Sequence, residues 1–487
     1  MSAVALDRIA QALDAQRLLV SRRGRLPQTI TGITDDSRSV AAGALFVAVR
    51  GSQRDGHDFL DAAATAGASV AIVEDAARTT LPVLVVRHGR RAAAVAAAAF
   101  HDHPVAALTL VGVTGTNGKT TTVGMLRHLL DAPGAPAASI GTLGVLVGSE
   151  GTPFPGGSGL TTPGPIELQA LLRALVTSGV TSVVMEVSSH ALDQRRVDGV
   201  QFAAAVFTNL TRDHLDYHGT MEAYFAAKAR LVEYLAPTGA AVVNADDLAW
   251  ATLPRAPRLI AYGTAVTADV RGTALRFEAR GSSFTLQHAG AEVPVALPLI
   301  GDFNVSNALG AAAATIALGH SAADVGHRLE SMPQVPGRLE VLHNSPTVLR
   351  DYAHTPDALE RAIAAVRPFA RRRLIVVFGA GGDRDRGKRP EMGRVAAKGA
   401  DLAIVTSDNP RAEDPERILD EIEAGMGAIP HERIEDRRSA IAAALAEATP
   451  DDVILLAGKG HETYQIRGTT AHPFDEKQIV AELTDSR

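Results

Sequence analysis

A glycine-rich segment in the first quarter of the chain limits the choice of fold more than any other feature. Residues 108–113 form a short apolar run with strand character, and residues 121–130 have the spacing of an amphipathic helix. Between them lies the sequence Thr-Gly-Thr-Asn-Gly-Lys-Thr, residues 114–120. A strand, a glycine-rich turn and a helix in this order are the context that a phosphate-binding loop requires. The segment therefore predicts an α/β domain that binds a nucleotide phosphate.

Several positions in this loop have a predicted role in holding phosphate. Gly115 and Gly118 allow the backbone to curl so that its N–H groups point at phosphate oxygens, and the helix N-terminus adds partial positive charge. Lys119 is predicted to reach the β- and γ-phosphates, and the Thr120 hydroxyl to bind Mg²⁺. The strict phosphate-loop pattern has glycine where this chain has Val113. The alternative interpretation is a chance Gly-Lys-Thr sequence in a turn.

Two further candidate metal ligands follow apolar strands. Glu186 ends the run 182–186, and a carboxylate at the end of a strand beside a phosphate loop is suited to bind Mg²⁺. His214 lies just past the apolar run 203–210, beside Asp213. The alternative for His214 is a hydrogen-bonded core histidine, which this position after a strand does not favour. The predicted ligands are therefore Thr120, Glu186 and His214.

Length and composition limit the class of protein. The 487 residues suffice for about three domains of ~150 residues each. The net charge of −6 argues against a nucleic-acid-binding protein, and the absence of cysteine excludes disulfides and thiolate chemistry. No apolar run approaches the ~18 residues of a membrane span, and Asp7 and Arg8 stand where a signal peptide would be apolar. We therefore expect a cytoplasmic protein.

Strand and helix patterns divide the chain into three predicted domains, residues 1–106, 107–333 and 334–487. In the first, strands are predicted at 29–34, 44–49, 70–74 and 81–86. Polar loops at 34–39 and 51–57 follow two of them, at the strand ends where open α/β sheets bind ligands. The second contains the phosphate loop, a single strand-like segment at 139–147, a hairpin pattern at 271–295 and then a helix at 307–318. In the third, strands predicted at 347–351, 374–378, 402–406 and 453–456 alternate with helices, which implies a parallel sheet. Its loop 379–383 lacks the G-x-G-x-x-G spacing of a dinucleotide site.

Eight segments occur in the order in which they occur in the Mur ligases, the ATP-dependent amide ligases of peptidoglycan precursor synthesis. They are residues 113–122, 186–190, 213–218, 301–307, 337–340, 351–357, 383–390 and 458–462. Residues 36–38 extend the resemblance into the first domain, so it covers essentially the whole chain. It implies an α/β fold with an N-terminal uridine-nucleotide domain, a central P-loop ATPase-type parallel sheet with helices on both faces, and a C-terminal Rossmann-like domain.

The resemblance also implies substrates, a cofactor and further site residues. The chain is most similar to the members that add the third peptide residue, which implies ATP, Mg²⁺, UDP-MurNAc-L-Ala-D-Glu and meso-diaminopimelate; we also expect a monomer. Catalytic positions are matched by Lys119, His214 and Lys228. The positions that match ATP contacts are Gly115, Thr116, Asn117, Gly118, Lys119, Thr120, Thr121, Asn304, Arg338 and Asp351. Those that match contacts with the UDP-MurNAc-dipeptide are Ser37, Ser52, Gln53, Arg54, Thr161, Thr162, Ser188, Gln194 and Arg196. Those that match the incoming amino acid's pocket are Arg384, Asp408, Asn409, Pro410, Arg411, Gly458 and Glu462.

The implied reaction activates a carboxylate before the amide forms. The D-Glu γ-carboxylate attacks the γ-phosphorus of ATP, and the amine then displaces phosphate from the acyl phosphate. Lys228 matches the family's carbamylated lysine, and as a carbamate it would join Thr120, Glu186 and His214 as a metal ligand. A cationic amine so near Mg²⁺ and Lys119 would repel both, whereas a carbamate supplies oxygen ligands. The alternative for Lys228 is an ordinary solvated helix residue.

The implied amino acid is meso-diaminopimelate because of Arg411. Diaminopimelate carries a second carboxylate where lysine has hydrogen, and a guanidinium binds carboxylate in a bidentate fork. Arg384 is a second cation near that carboxylate by resemblance, and Asp408 and Glu462 would hold the ammonium. The alternative is that Arg411 only caps the turn before the helix predicted at 415–424.

Three other functions remain open. A ligase of the same type that adds L-lysine differs only at the amino-acid pocket. A ligase like folylpolyglutamate synthase shares the phosphate loop but does not explain a separate first domain of 106 residues. A non-catalytic module that only senses ATP does not need Glu186, His214 and Lys228 together.

Overall fold

The structure is a computed structural model that describes residues 3–51, 54–157, 159–278, 280–427 and 429–485. The predicted substrate residues Ser52 and Gln53 lie outside the described residues.

The first part of the chain contains a five-stranded sheet and a separate antiparallel pair of short strands. Its strands are β1 (Val4–Ala5), β2 (Leu19–Arg23), β3 (Thr29–Ile30), β4 (Ile33–Thr34), β5 (Leu45–Val47), β6 (Val70–Val73) and β7 (Val83–Val86). Its helices are α1 (Leu6–Ala15), α2 (Leu60–Thr65) and α3 (Gly89–Phe100). The sheet order is β2-β7-β6-β5-β4, with β2 antiparallel and the other neighbours parallel. Helices α1 and α3 cover one face, and α2 covers the other.

The strand predicted at 29–34 is two strands in different sheets. β3 pairs antiparallel with β1, whereas β4 pairs parallel with β5. Thr31 and Gly32 lie between them, so the chain changes sheets at this point. The prediction of one strand was wrong because the apolar pattern runs through both pieces without showing the change of partner.

The central part of the chain is built on a large mixed sheet. Its strands are β8 (Thr109–Thr114), β9 (Ala137–Gly141), β10 (Gly144–Val147), β11 (Thr152–Pro153), β12 (Ser182–Glu186), β13 (Phe202–Phe207), β14 (Leu235–Asn244), β15 (Arg258–Gly263), β16 (Val270–Glu278), β17 (Gly281–His288) and β18 (Ala291–Leu297). Its helices are α4 (Lys119–Leu130), α5 (Pro165–Thr177), α6 (Ser189–Asp193), α7 (Leu215–His218), α8 (Met221–Ala229), α9 (Asp302–Ala317) and α10 (Ala322–Leu329).

The middle of this sheet is parallel and its edges are antiparallel. Among the described residues the order is β11-β10-β9-β12-β8-β13-β14-β15-β16-β17-β18, and every pair from β9 to β16 is parallel. The hairpins predicted at 271–295 are confirmed as β16, β17 and β18. Residues 139–147, read as one strand, are the hairpin β9–β10, which turns just before Gly144 at φ +82°. The sheet is therefore parallel where it carries the phosphate loop.

Helices cover both faces of the central sheet, as the sequence predicts. In β8, Val111 and Val113 belong to the core formed with α4 and α9. Leu110, one position away, belongs to the core formed with α5 on the opposite face. This alternation follows from the two-residue period of a strand. It orients β8 so that its carboxyl end leads directly into residues 114–118.

The last part of the chain is a second layered α/β unit. Its strands are β19 (Glu340–Asn344), β20 (Thr347–Asp351), β21 (Leu374–Phe378), β22 (Leu402–Val405), β23 (Glu432–Arg433), β24 (Val453–Ala457), β25 (Tyr464–Arg467) and β26 (Thr470–Pro473). Its helices are α11 (Pro356–Val366), α12 (Lys388–Gly399), α13 (Pro415–Glu423), α14 (Arg437–Glu447) and α15 (Glu476–Asp485). The sheet order is β19-β20-β24-β21-β22-β23, antiparallel only at β19.

This third sheet also has helices on both faces, which confirms the predicted fold class. α11, α12 and α13 cover one face, and α14 and α15 cover the other. The three sheets agree with three predicted domains, and the boundaries at 106/107 and 333/334 stay predictions. Within the described ranges, every helix is too short or too polar to cross a membrane.

Candidate active site

The loop between β8 and α4 requires glycine at two positions. Gly115 has φ +150°, and a Cβ there would lie 1.8 Å from Thr208 Oγ1. Gly118 has φ +84°, and a Cβ there would lie 2.3 Å from Asn307 Oδ1. Both contacts are closer than carbon and oxygen atoms approach, and both φ values disfavour a side chain. The tight curl predicted for a phosphate loop is therefore the conformation of residues 114–118.

Two lysine amines meet at one carbonyl oxygen of this loop. Lys119 Nζ donates to Gly115 O at 2.9 Å and to Thr116 O at 2.8 Å. Lys228 Nζ donates to the same Gly115 oxygen at 2.7 Å and lies 4.6 Å from the centre of the Tyr224 ring. Lys228 is 1% exposed, so the alternative of a solvated surface lysine is wrong. Its position on α8 brings it to the phosphate loop.

Burial lowers the pKa of both amines. It lowers the pKa of Lys119, and the positive charge of Arg338 lowers it further, against Glu186 and Asp213. Burial also lowers the pKa of Lys228 well below its ordinary value, and the charge of Lys119 adds to this effect. A lysine amine that is neutral near pH 7 is a nucleophile, whereas a lysinium is not.

Glu186 is oriented by the turn between β9 and β10. Its carboxylate accepts hydrogen bonds from the Thr142 backbone N–H at 2.9 Å and from Thr142 Oγ1 at 3.1 Å. It is 1% exposed, and Glu186 pairs with Val113 in the register of β12 and β8. The carboxylate therefore lies at the level where β8 enters the loop. Thr142 was not identified from the sequence, because residues 139–147 were read as one strand without a turn.

His214 lies at the mouth of the same site. It has a left-handed backbone conformation with φ +53°, and its Nε2 is 3.4 Å from Asp213 Oδ2. Its ring contacts His190 edge to face at a centroid distance of 4.8 Å. Burial lowers the pKa of His214, with Asp213 acting in the opposite direction. A neutral imidazole is the form that binds a metal.

The third sheet closes one side of this site. Arg338 Nη2 donates to Thr120 Oγ1 at 2.9 Å, and the Arg338 guanidinium lies 4.7 Å from the centre of the Tyr352 ring. Asn117 Nδ2 donates to Asp357 Oδ2 at 3.0 Å. These contacts enclose a cavity of about 330 Å³. The predicted residues that line it are Thr116, Asn117, Gly118, Lys119, Thr120, Thr121, Thr161, Glu186, Ser188, His214, Lys228, Arg338 and Asp351.

Two residues that are predicted to contact ATP, Asp351 and Asn304, form hydrogen bonds within the protein. Burial raises the pKa of Asp351 to about 6, against the charge of Arg338, and its Oδ2 accepts from the Leu339 N–H at 2.8 Å. Asn304 is 1% exposed and does not line the described cavity; its amide donates to Ile300 O at 2.8 Å. The neighbouring Asn307 lines the cavity instead, and it donates to Asn304 Oδ1 at 3.3 Å.

The donor set of the cavity fits a hard divalent cation. Glu186 and Thr120 supply oxygen atoms and His214 supplies an imidazole, in one cavity with Lys228. Across the described part of the chain, no three histidine or acidic side chains converge as a metal site. A bound metal here would therefore need the Thr120 hydroxyl and oxygen atoms from phosphates or from a modified Lys228.

A second cavity of about 590 Å³ adjoins the first. Six residues of the predicted amino-acid pocket line it: Arg384, Asp408, Asn409, Arg411, Gly458 and Glu462. Pro410 is buried and is not part of the described lining. The residues common to both cavities are Asp213, His214, Tyr352, His354 and Thr355. The two predicted sites are therefore separated by a single shared wall.

Arg411 faces this second cavity rather than capping a helix. It has φ +53°, and its Nη1 donates to Gly382 O at 2.8 Å. The N-cap of α13 is Asp414, whose carboxylate accepts from the Glu416 N–H at 3.1 Å. Arg411 therefore does not cap α13 itself, and its role toward an amino-acid substrate stays a prediction.

Lys459 is a site residue that the sequence analysis missed. Its side chain is fully buried, and Nζ lies 3.5 Å from Asp408 Oδ1, 3.1 Å from Asn409 Oδ1 and 3.2 Å from Glu462 Oε2. Burial opposes ionisation of Asp408, but the charge of Lys459 outweighs it, together with Arg437, and the pKa of Asp408 is lowered. Lys459 lies inside the segment 458–462, but only the fold brings it to Asp408.

The predicted dipeptide contacts lie in two places. Thr162 Oγ1 donates to Glu186 O at 2.9 Å, and Arg196 Nη1 donates to Thr162 O at 3.0 Å. Arg196 also donates to Gln194 Oε1 at 2.7 Å. Ser37 and Arg54 lie in the first part of the chain, outside its strands, and line neither of these two cavities in the described residues.

Three family models match the chain in succession. Residues 29–110 match the Mur ligase family catalytic domain, residues 113–315 the Mur ligase middle domain, and residues 337–460 the Mur ligase glutamate ligase domain. The chain is 46% identical over 488 residues to UDP-N-acetylmuramoyl-L-alanyl-D-glutamate–2,6-diaminopimelate ligase of Geobacter metallireducens, with 94% of each chain covered.

Solved structures show the same similarity. A structure of UDP-N-acetylmuramoyl-L-alanyl-D-glutamate–2,6-diaminopimelate ligase is 34% identical, with a TM-score of 0.71, and the match covers 100% of this chain and 99% of that one. A folylpolyglutamate synthase of Mycobacterium tuberculosis complexed with ADP is 21% identical, with a TM-score of 0.63, over 76% of this chain and 91% of that one. The second similarity is one of fold alone.

Proposed function

The chain belongs to the Mur ligase family, and we propose that it joins meso-2,6-diaminopimelate to the D-Glu γ-carboxylate of UDP-MurNAc-L-Ala-D-Glu at the expense of ATP. The product is the tripeptide precursor of peptidoglycan. Residues 1–106 are assigned to the uridine nucleotide, 107–333 to ATP and 334–487 to the amino acid. The reaction is assigned to the cytoplasm, with a monomer as the active form.

The observation that carries this proposal is the wall shared by the two cavities. One cavity is lined by the phosphate loop, and the other by Asp408, Arg411 and Glu462. A ligase of this kind must form an acyl phosphate at ATP and present an amine to it before water does. Adjacent cavities that are enclosed by two sheets meet both needs.

Charge at the phosphate end suits the first step. The carboxylate that attacks the γ-phosphorus and the phosphate itself are both anionic, so the step requires nearby cations. Lys119 and Arg338 line the cavity, and their side chains are held by Gly115 O, Thr116 O and Thr120 Oγ1. We infer that these bonds are exchanged for bonds to phosphate oxygens when ATP binds.

Glu186, Thr120 and His214 are proposed to hold Mg²⁺. A bound Mg²⁺ would neutralise phosphate charge and polarise the γ-phosphoryl group. Thr142 holds the Glu186 carboxylate in place through two hydrogen bonds, and Asp213 faces the His214 imidazole. These contacts orient the ligands before any cation arrives.

Lys228 is proposed to be carbamylated. Burial lowers the pKa of its amine well below the ordinary value, which favours the neutral, nucleophilic form. The nitrogen attacks the carbon of CO₂, one N–H proton leaves to solvent, and a carbamate anion results. That anion would offset the Lys119 charge and add oxygen atoms to the metal site.

The second cavity is proposed to recognise both ends of diaminopimelate. Arg411 would bind the carboxylate that lysine lacks, while Asp408 and Glu462 would attract the ammonium. Lys459 already neutralises part of this acidic pair, so one substrate ammonium completes the balance of charge. Lysine would leave Arg411 without an anion, which gives a rejection on the order of 10⁴-fold.

The test is ATP turnover by the purified protein with UDP-MurNAc-L-Ala-D-Glu. We expect ADP formation with diaminopimelate, little with lysine, and loss of this preference in Arg411→Ala. Comparable turnover of lysine would favour a lysine-adding ligase. Turnover with a folate substrate instead would favour a folylpolyglutamate-type ligase, and ATP binding without any turnover would favour a sensor module.

A further inference from the structure

His354 lies in the wall between the two cavities and is not among the residues assigned to ATP, to Mg²⁺ or to the amino acid. It follows β20 and precedes α11, and it lines both the cavity of the phosphate loop and the cavity of Arg411. His354 therefore lies between the proposed ATP site and the proposed amino-acid site.

The structure determines which nitrogen of the His354 ring carries the proton. Nδ1 lies 2.8 Å from Tyr352 O. A carbonyl oxygen only accepts, so Nδ1 is the protonated nitrogen and Nε2 carries the lone pair. In the part of the chain that the structure describes, Nε2 has no hydrogen-bond partner. The ring is thus held at one nitrogen and free to accept at the other.

Ligation requires a proton acceptor at this point. The amino group of an amino acid is an ammonium near pH 7 and has no lone pair with which to attack a carbonyl carbon. Positioned bases that remove such protons contribute about 10²–10⁴-fold to rate. Neither Lys119 nor Arg338 serves, because both are needed as cations beside phosphate.

We propose that His354 Nε2 is the general base that accepts a proton from the amino group as that group attacks the acyl phosphate. This inference rests on the proposed function. The new C–N bond forms, the bond from the acyl carbon to the phosphate oxygen breaks, and phosphate leaves with that electron pair. The ammonium loses all but one of its protons; one goes to Nε2 and another to the departing phosphate. Nε2 then releases its proton to solvent.

The charged groups around His354 keep it in the accepting form. Burial lowers the pKa of His354, and the charge of Lys388 lowers it further, against Asp213 and Asp408. Lys388 Nζ donates to His354 O at 2.8 Å, so this cation is fixed beside the ring. His354 is therefore neutral at pH 7, and it loses its base function only as the pH falls below the ordinary histidine range.

Two neighbours are weaker candidates for the same task. Lys388 also has a lowered pKa because of burial, but its amine already donates to the His354 carbonyl. Asp213 lines both cavities, but its carboxylate faces His214, a proposed metal ligand. His354 alone among these three side chains combines a fixed donor contact with an open lone pair.

The test separates the two steps of the reaction in the full-length protein. In His354→Asn, we expect amide formation with diaminopimelate to fall about 10²–10⁴-fold. The variant should still form one equivalent of ADP per site with ATP and UDP-MurNAc-L-Ala-D-Glu in a single turnover. Hydroxylamine, which is largely unprotonated at neutral pH, should still trap the acyl phosphate as a hydroxamate at close to the wild-type rate.

The pH profile provides a second readout. The remaining amide formation by His354→Asn should rise steadily with pH, because only amine that is already deprotonated reacts. His472→Asn, an exposed histidine of the same domain, is the matched control and should behave as wild type.

Three outcomes would overturn the inference. These are unchanged amide formation, an equal loss of hydroxamate and amide, or a pH profile that matches the wild type. A wild-type protein that makes no product from diaminopimelate would instead refute the proposed function.

Discussion

Replacement of Lys459 by methionine tests how the amino-acid cavity is held together. The lysine is fully buried, and the side chains of its partners Asp408 and Glu462 are 7% and 14% exposed. Lys459→Met keeps most of the volume and removes the charge. Removing one partner from a buried charge pair costs about 3–5 kcal/mol, because the remaining charge is left uncompensated. Domains of this size lose about 2–4 °C in Tm for each kcal/mol, so we expect the transition that involves the third sheet to fall by about 10 °C.

The pH dependence of this effect follows from Asp408. Its pKa in the folded protein is lowered, so its favourable contribution is present above the unfolded pKa and is lost as the pH falls through the folded value. Without Lys459, burial dominates and raises that pKa. The deficit of Lys459→Met should therefore be largest near pH 7. It should shrink as the pH falls below the raised pKa of Asp408 in the variant, where that carboxyl is protonated and no longer an unpaired charge.

The assay is calorimetry of both proteins at several pH values, with hydrogen exchange to assign the transition, because a chain of several domains does not unfold in two states. Lys477→Met is the matched control: Lys477 is 65% exposed beside Glu340 and should cost about 0–1 kcal/mol. Equal effects of the two substitutions, or a Lys459→Met deficit that does not change with pH, would refute the reasoning.

Three shorter predictions concern the phosphate end of the site. Lys119→Ala should abolish ligation without unfolding the protein, and near-normal turnover with an unchanged circular dichroism spectrum would contradict its assignment. Glu186→Ala and His214→Ala should each need far more Mg²⁺ for activity; if both kept the wild-type titration curve, the metal would bind elsewhere. Lys228→Ala should be inactive and partly restored by small carboxylates, which replace the carbamate oxygens, and the absence of any rescue would count against carbamylation.

The sequence predicted the interior of the central and third sheets well. β12, β20 and β21 have the predicted bounds, because each is a short apolar run between turn residues. β2 and β15 were missed, and in both strands most side chains are partly or fully exposed. The tertiary pairing of these strands, rather than their own residues, makes them strands.

The sequence predicted those site residues that belong to a local motif. It did not predict those that reach the site through contacts between residues far apart in the chain. Lys119, Glu186 and Arg411 stand at strand ends or in a loop with known chemistry. Thr142 orients Glu186 from 44 residues away, and Lys459 meets Asp408 across 51 residues. No local pattern encodes such a contact, because it depends on which strands become neighbours.

The wall common to the two cavities has a consequence for ligand design. A molecule that carries a phosphate mimic and a diamino acid on a short linker would cross the wall at Tyr352 and Thr355. Once one half is bound, the other is present at an effective concentration in the millimolar range or above, so two weak fragments would together bind tightly. Since both sheets contribute to the wall, such a tethered compound would also hold the sheets together, and it should raise the temperature at which they separate.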